Sequence, residues 1–324
     1  MTDQWVARIE EILWPEGPRQ NIWMILDGAR SIEIFRMLLA CHLEYSCLYS
    51  GTLTSELEMA APYLVQLDHG YKDTHQFIQR AWGNSWGVFL RSDTSLKKLR
   101  HHLRELLIVR DERGNRLVFR YYDPRVLRVY LPTCTTNELK AFLGPVQAFW
   151  TEGNVFEDML EFRFERSNLV RRTIPLDSES ISEPLPRNSG QSFDPEIPVR
   201  YSSLTIRASQ LAEFSRAEVD KFKSWMLVHL NKFFPRECQS AGETQLKEAI
   251  QYGIKRAASY GITGKRDVCK YIDLMVVFGR NFDVEARSRW ASEILNRSGD
   301  PAVKMRSLFR EAKSQLREDR FPHA

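Results

Sequence analysis

The sequence lacks the short motifs by which most enzymes are recognised. It has no GxSxG elbow, no GxxxxGK[ST] loop, no HExxH and no GxGxxG segment after a predicted strand. These absences remove the sequence support for an α/β-hydrolase, a nucleotide-phosphate cradle or a zinc protease. The only remaining support for an enzymatic function is analogy with other proteins of the same fold class, and that support is weak.

Cysteine is scarce, and its pattern fits neither a metal site nor a disulfide framework. The five cysteines are odd in number and no two have CxxC spacing; they are Cys41, Cys47, Cys134, Cys238 and Cys269. This pattern disfavours zinc and indicates a reducing compartment. We expect no metal and no other cofactor.

Long apolar runs are also missing. No run approaches the roughly 20 residues that span a bilayer, and the first residues, MTDQWVARIEEILWPEG, carry early acids and no apolar signal core. Apolar residues make up 43% and charged residues 27% of the 324. We therefore expect a soluble cytoplasmic protein with no membrane partner.

The charge is divided unevenly along the chain. Residues 207–324 hold 22 Lys+Arg against 15 Asp+Glu, a formal charge of +7, and residues 1–206 hold 24 against 27, a charge of −3. Such asymmetry indicates a nucleic acid or an acidic protein partner, or simply solvated helix faces. The basic residues form no block, and no recognition helix or aromatic stacking motif stands out, so we expect no nucleic acid.

The N-terminal half alternates short apolar runs with helical patterns. Strands are predicted at NIWMILDG, SCLYSG, YLVQLD, WGVFLRS and ERGNRLVFRYYD, with helices between them. This alternation favours an α/β domain with a mostly parallel sheet. The segments VQAFWTEG and DMLEFRFER add an antiparallel hairpin around Gly153-Asn154.

Two boundaries divide the chain. Residues 173–203 hold five of the 14 prolines, are rich in serine and have no periodicity, so they are predicted to be a linker. We therefore predict an α/β domain over 1–172 and an all-α helical domain over 204–324. An S-x-x-E capping box at Ser215 and Glu218 is predicted to start the first long helix of that second domain.

That first long helix carries an apolar stripe. Phe222, Trp225, Met226, His229 and Phe233 are predicted to lie along its buried side. A histidine in this position is more typical of a core side chain than of a metal ligand.

Charged residues follow several predicted strands. Asp27 with Arg30, Asp68, Arg91, and Asp123 with Arg125 all come directly after strands. If those strands are parallel, the charges gather at one edge of the sheet. The edge is then an ion-pair network, a partner-binding surface or a catalytic site.

The segment LVFRYYDPRVLRVYLPT, residues 117–133, contains the clearest local signal. Leu117–Tyr122 alternates as a strand, and Asp123 with Pro124 has the pattern of a helix N-cap and first position. Capping and packing alone explain these residues.

One catalytic alternative starts from the acids at this edge. A strand that ends in Asp27 is typical of phosphatases with an aspartyl nucleophile, but those have a second Asp two residues on, where this chain has Ala29. A hydrolase or phosphoryl-transfer enzyme using Asp27 or Asp123 is kept as the alternative function.

Several segments together carry a resemblance to a known family. WMILDGARSIEIFRML, WGNSWGVFLRS, FRYYDPRVLRVYLPT and FLGPVQAFW follow one another within residues 21–164. They resemble the domain of unknown function that defines the type VI secretion adaptor proteins, the Tap or TEC effector chaperones of Gram-negative bacteria. GITGKRDVCKYIDLMVVFGRNF and RWASEILN resemble the helical tails of these adaptors more loosely.

The resemblance implies a cytoplasmic adaptor and chaperone, not an enzyme. Such a protein binds a cognate secreted effector and loads it onto the VgrG spike protein. No catalytic residues come with the family, and no metal is expected. We expect partner-binding or signature residues near the strand-end edge, where aromatic and arginine side chains are typical anchors: Asp27, Arg30, Trp86, Phe89, Arg91, Tyr122, Asp123, Arg125 and Arg128.

Overall fold

The computed structural model describes residues 2–15, 17, 20–177 and 204–320. The chain forms two compact units, Met1–Phe214 and Ser215–Ala324. The predicted domains, 1–172 and 204–324, stay a prediction. The predicted linker, 173–203, lies mostly outside the described residues, since the description stops at Asp177 and resumes at Leu204.

The first unit is built on β-strands, most of which lie where the apolar runs of the sequence predict them. Its strands are β1 Ile22–Asp27, β2 Tyr45–Cys47, β3 Pro62–Leu67, β4 Gly87–Arg91, β5 Ile108–Asp111, β6 Arg116–Val118, β7 Ala148–Glu152, β8 Asp158–Glu165, β9 Asn168–Pro175 and β10 Thr205–Ile206. Seven of these described strands form the main sheet, in the order β2-β3-β1-β4-β7-β8-β9.

The main sheet is antiparallel, so the predicted mostly parallel sheet is wrong. Each neighbouring pair of described strands runs in opposite directions, including the predicted hairpin of β7 and β8. The error has a physical cause in β1, where all six residues are buried. A continuous apolar run is typical of parallel strands with both faces covered, but covering both faces of an antiparallel strand gives the same run.

Helices cover the two faces of the sheet. The helices of this unit are α1 Thr2–Leu13, α2 Ile32–Ala40, α3 Ser55–Met59, α4 Lys72–Ala81, α5 Leu96–Glu105, α6 Pro124–Tyr130 and α7 Thr136–Leu143. Ile22, Met24 and Leu26 of β1 share one core with buried residues of α1, α2 and α4. Trp23 and Ile25 share the other with α5, α6 and α7. The period-2 alternation of a strand therefore supplies two cores at once.

A small second sheet contains β10, β5 and β6 in that order. β10 pairs with β5 in parallel, and β5 pairs with β6 antiparallel. The fifth strand, which the sequence pattern predicts to extend to Tyr122, is shorter in the structure. β6 ends at Val118, and residues 119–122 are not a strand. Arg207 fixes the β10 end, donating from Nε to Glu138 at 2.8 Å.

The second unit is helical, as the periodicity indicates. α8 Ala208–Phe233 begins in the first unit and continues in the second, followed by α9 Pro235–Ala241, α10 Glu243–Ser259, α11 Lys265–Phe278, α12 Arg289–Leu295 and α13 Pro301–Arg320. Ser215 and Glu218 lie inside α8, so the predicted capping box does not start the helix. Among the described residues, no helix is both long enough and apolar enough to cross a bilayer.

Candidate functional site

A buried ion pair lies where β1 ends. Asp27 is 1% exposed, its carboxylate accepts from the Ala29 backbone N–H at 3.2 Å, and it forms an ion pair with the guanidinium of Arg120. The Asp27 backbone N–H donates to the Trp86 carbonyl at 2.7 Å. Burial raises the pKa of Asp27 above its usual value, although the hydrogen bond and charge of Arg120 oppose the rise.

Asp123 starts α6 as its N-cap. Its Oδ1 accepts from the Arg125 backbone N–H at 2.9 Å and from Arg125 Nε at 2.9 Å, with Pro124 at the first helical position. Burial acts to raise the pKa of Asp123, but the hydrogen bonds and charge of Arg125 together outweigh burial and hold the pKa below its usual value. The predicted cap is confirmed, and the same carboxylate also forms an ion pair.

Two more arginines complete what we call the strand-end cluster: Asp27, Arg30, Arg120, Asp123, Arg125 and Arg128. Arg128 donates from Nη1 to the Glu152 carbonyl at 3.1 Å and also to the Gly153 carbonyl. Arg30 is exposed and donates from Nη2 to the Asn84 carbonyl at 3.2 Å. Two guanidiniums therefore pair with the two buried carboxylates and two others donate to backbone carbonyls, which leaves a partly exposed basic rim.

Asp68 and Arg91 do not join the cluster. β1 is antiparallel to β3 and to β4, so Ile22 pairs with both Leu67 and Arg91, while Asp27 lies at the other end of β1. Arg91 instead donates from Nε to Gln147 at 3.0 Å. The predicted gathering of all these charges at one edge is wrong for these two residues, because it depended on parallel strands.

The three aromatic residues predicted near this edge are core residues. Trp86, Phe89 and Tyr122 are 6%, 2% and 2% exposed. The rings of Trp82 and Phe89 stack with centroids 6.4 Å apart, and burial raises the pKa of Tyr122. In this structure the three rings lie in the protein interior, so they offer almost no surface to a partner.

The positions of Asp27 and Asp123 suit a role in stabilising the fold better than a role as an attacking nucleophile. An attacking carboxylate must reach a substrate atom, and these two residues are 1% and 4% exposed. Each also accepts from an arginine and from the backbone N–H of the turn that follows it. The hydrolase alternative gains no support from either residue.

A second arrangement, which the sequence did not predict, lies in the second unit. His229 Nε2 is 3.0 Å from Asp273 Oδ1 and 3.6 Å from Cys269 Sγ, and this Sγ is 3.8 Å from Asp273 Oδ2. Among the described residues these three form the one group of metal-ligating side chains that converges. The Cys-x-x-x-Asp spacing on one face of α11 was the available sequence signal.

The apolar stripe of α8 divides into buried and exposed parts. Phe222 and Met226 are buried as predicted, but Trp225 and Phe233 are 52% and 59% exposed. Their rings stand on either side of the His229 imidazole, with centroids 5.2 and 4.7 Å from it. We call Trp225, Val228 and Phe233 the α8 surface; Val228 is 68% exposed.

Comparison with known proteins gives one match. Residues 22–141 match the family model of a domain of unknown function, DUF4123. The match begins at the first residue of β1 and ends within α7, and it includes every residue of the strand-end cluster. No curated protein and no solved structure matches the chain. To this extent the resemblance to a domain of unknown function is confirmed.

Proposed function

We propose that this protein is a cytoplasmic adaptor that binds a cognate type VI secretion effector and loads it onto the VgrG spike protein. The observation that carries the proposal is the DUF4123 match over residues 22–141. It coincides with the segments that resemble the adaptor family, including LDGA and FRYYDPRVLRVYLPT. An adaptor needs two partner surfaces, one for the client and one for the spike.

The α8 surface has the chemistry of a partner-binding site. Exposed aromatic side chains anchor many protein interfaces, and single large ones contribute most of the binding energy. The ammonium of Lys232 lies 5.5 Å from the centre of the Phe233 ring, so a cation borders the apolar patch. Residues 207–324 carry a formal charge of +7, which favours an acidic partner segment that also carries apolar side chains.

The strand-end cluster offers the second surface. Arg30 is exposed, and Arg125 keeps 32% of its side chain exposed while it holds Asp123. Arginine that is already held in place loses little entropy when it binds a carboxylate. We assign this rim to one partner and the α8 surface to the other.

The first test is co-purification. The tagged full chain is expressed with the proteins encoded beside its gene, washed with salt, and the bound proteins are identified. A toxin-like protein or a VgrG-type spike retained through the wash supports the proposal. A folded, monomeric protein that retains neither partner contradicts it.

A variant pair then tests the α8 surface. Trp225→Ser with Phe233→Ser removes two exposed aromatics, and each truncated anchor costs roughly 2 kcal/mol, about 30-fold in affinity. Val284→Ser, at a valine of the same unit that is 57% exposed, is the matched control. We expect the double variant to lose one partner and retain the other. Equal retention by the double variant and the control would exclude this surface.

A further inference from the structure

His229, Cys269 and Asp273 each place one ligand atom within 4.8 Å of the other two, close enough for a single metal ion to contact all three residues. Bond lengths of about 2.3 Å to sulfur and 2.0–2.2 Å to nitrogen and oxygen give tetrahedral edges of about 3.6 Å from sulfur and about 3.4 Å from nitrogen to oxygen. The observed distances are 3.6 Å from Cys269 Sγ to His229 Nε2 and 3.0 Å from this Nε2 to Asp273 Oδ1, while Sγ lies 3.8 Å from the other carboxylate oxygen, Oδ2. The sulfur-to-nitrogen and nitrogen-to-oxygen distances each lie within about 0.4 Å of the tetrahedral value.

The same geometry argues against a Cys-His-Asp catalytic triad. In a triad, the nucleophile and the acid bind opposite nitrogens of the imidazole, so that the acid orients the ring while the other nitrogen takes the proton. Here the thiol of Cys269 and the carboxylate of Asp273 both face Nε2 of His229. A thiol and a carboxylate that lie near the same imidazole nitrogen suit a shared cation better than they suit proton transfer.

The fold holds the three side chains in place and leaves one side open. Cys269 and Asp273 are four residues apart on α11, so they share a helical face. His229 comes from α8 and is clamped between the rings of Trp225 and Phe233. Cys269 is 8% exposed, while the side chains of His229 and Asp273 keep 17% and 21% exposed. An ion can therefore enter from the solvent side.

We propose that His229, Cys269 and Asp273 bind one zinc ion that links α8 to α11. A thiolate and a carboxylate balance the double positive charge, and imidazole is a common third ligand of zinc. The fourth position faces solvent and takes water or a donor atom from a bound protein. Because the α8 surface borders this position, the ion also fixes the orientation of that surface.

Cobalt(II) provides the test, since it replaces zinc and absorbs light when a thiolate binds it. The full chain, with any affinity tag removed, is reduced, stripped with a chelator and titrated with Co²⁺. We expect one equivalent to give a thiolate-to-cobalt charge-transfer band and intense tetrahedral visible bands, both removed by Zn²⁺. Cys269→Ser should abolish the charge-transfer band, and His229→Gln and Asp273→Asn should weaken binding at least about tenfold, since even supporting residues of metal sites contribute 10–100-fold.

Two variants serve as matched controls. Cys238 is another buried cysteine of this unit, and Asp267 is another carboxylate of α11, paired with Lys270 at 3.3 Å. Cys238→Ser and Asp267→Asn should bind Co²⁺ like the unaltered protein. Circular dichroism checks that every variant is folded.

One further measurement needs no variant. X-ray absorption at the zinc edge of the loaded protein should show one sulfur at about 2.3 Å, with nitrogen and oxygen at about 2.0–2.2 Å. A metal without a sulfur neighbour, no cobalt band in the unaltered protein, or an unchanged band in Cys269→Ser would each overturn the proposal.

Discussion

Replacing Arg120 by methionine should destabilise the first unit, and the loss should depend strongly on pH. The change keeps a long apolar stem but removes the guanidinium that pairs with Asp27, a carboxylate that is only 1% exposed. Breaking a buried ion pair by removing one partner costs roughly 3–5 kcal/mol, because the other charge stays buried and uncompensated. The side chain of Arg120 is 41% exposed, so solvent already screens the pair and the lower half of that range applies.

Protonation of Asp27 sets a ceiling on the loss. An aspartate with an unfolded pKa near 3.9 can be neutralised at pH 7 for about 4 kcal/mol and at pH 5 for about 1.5 kcal/mol, at 1.36 kcal/mol per pH unit. Once Asp27 is neutral, it has no buried charge for the guanidinium of Arg120 to compensate. We therefore expect Arg120→Met to cost about 3–4 kcal/mol at pH 7 and no more than about 1.5 kcal/mol at pH 5.

The sign follows from the direction of the Asp27 pKa. Burial already raises this pKa in the folded protein, and removing Arg120 raises it further. A carboxyl with a raised folded pKa binds more protons folded than unfolded, so stability falls as the pH rises from the unfolded pKa to the folded one. The variant should therefore lose stability relative to the unaltered protein between pH 4 and pH 7.

Urea denaturation at pH 5 and pH 7 measures the effect. Six of the eight tryptophans lie within Met1–Phe214, so their fluorescence mainly reports the first unit. Arg80→Met is the matched control, since Arg80 pairs with Glu33 at 3.7 Å on the exposed surface, and it should cost less than about 1 kcal/mol at either pH.

A double variant separates the ion pair from other effects. Asp27→Asn combined with Arg120→Met removes both charges, so it should be more stable at pH 7 than Arg120→Met alone. An equal loss at both pH values, or a double variant no more stable than the single one, would refute the reasoning.

Two other substitutions test the packing of each unit. Gly28→Ala places a methyl group 2.6 Å from the Ala61 carbonyl oxygen; because that oxygen belongs to the backbone, we expect a loss of about 1–3 kcal/mol in the same denaturation assay. Tyr271→Phe removes a 2.9 Å hydrogen bond to the buried carboxylate of Asp283 and should cost about 1–2 kcal/mol, measured by thermal unfolding followed by circular dichroism.

Each of these substitutions has a control in the same chain. Gly264 has open space around its position and an ordinary backbone conformation, so Gly264→Ala should not destabilise the protein. Tyr252 makes an exposed hydrogen bond to Asn281, so Tyr252→Phe should cost less than Tyr271→Phe. If a control lost as much stability as its matched variant, the packing argument for that site would fail.

The sequence predicts where the main strands lie far better than how they pair. β1 and β4 fall within the predicted segments, and β3 matches its segment except that it begins one residue earlier, at Pro62. The match arises because a buried strand needs a run of apolar residues. Strand direction depends on which chain segments meet in three dimensions. A strand buried on both faces, such as β1, has the same continuous apolar sequence in a parallel and in an antiparallel sheet. The sequence pattern therefore cannot distinguish the two kinds of sheet.

The strand-end cluster was predicted in part for the same reason. Asp123, Arg125 and Arg128 are neighbours in sequence, and the N-cap pattern of Asp123-Pro124 locates them reliably. The alternation of residues 117–122 predicts that Arg120 lies in a strand, and its partner Asp27 is 93 residues away, so no local pattern joins the two. Asp68 and Arg91 were misplaced because the strands before them run opposite to β1.

α8 shows that tertiary context can override a local signal. The capping box at Ser215 and Glu218 is a good helix start, yet the helix begins seven residues earlier. The periodicity predicts that the whole apolar stripe is buried, but Trp225 and Phe233 are mostly exposed. A stripe wider than the available core leaves part of its surface for other contacts, and periodicity cannot tell which part.

The short strand β10 has a consequence for any attempt to shorten the protein. It pairs with β5 and brings the buried side chain of Ile206 into the first unit, although it follows residues 178–203 in the chain. A fragment that ends before residue 204 would turn β5 into an open edge, with unpaired N–H and C=O groups beside exposed apolar residues. Exposed strand edges of this kind pair readily with other chains. The fragment that ends before residue 204 should therefore aggregate, whereas a fragment that ends after Phe214 should not.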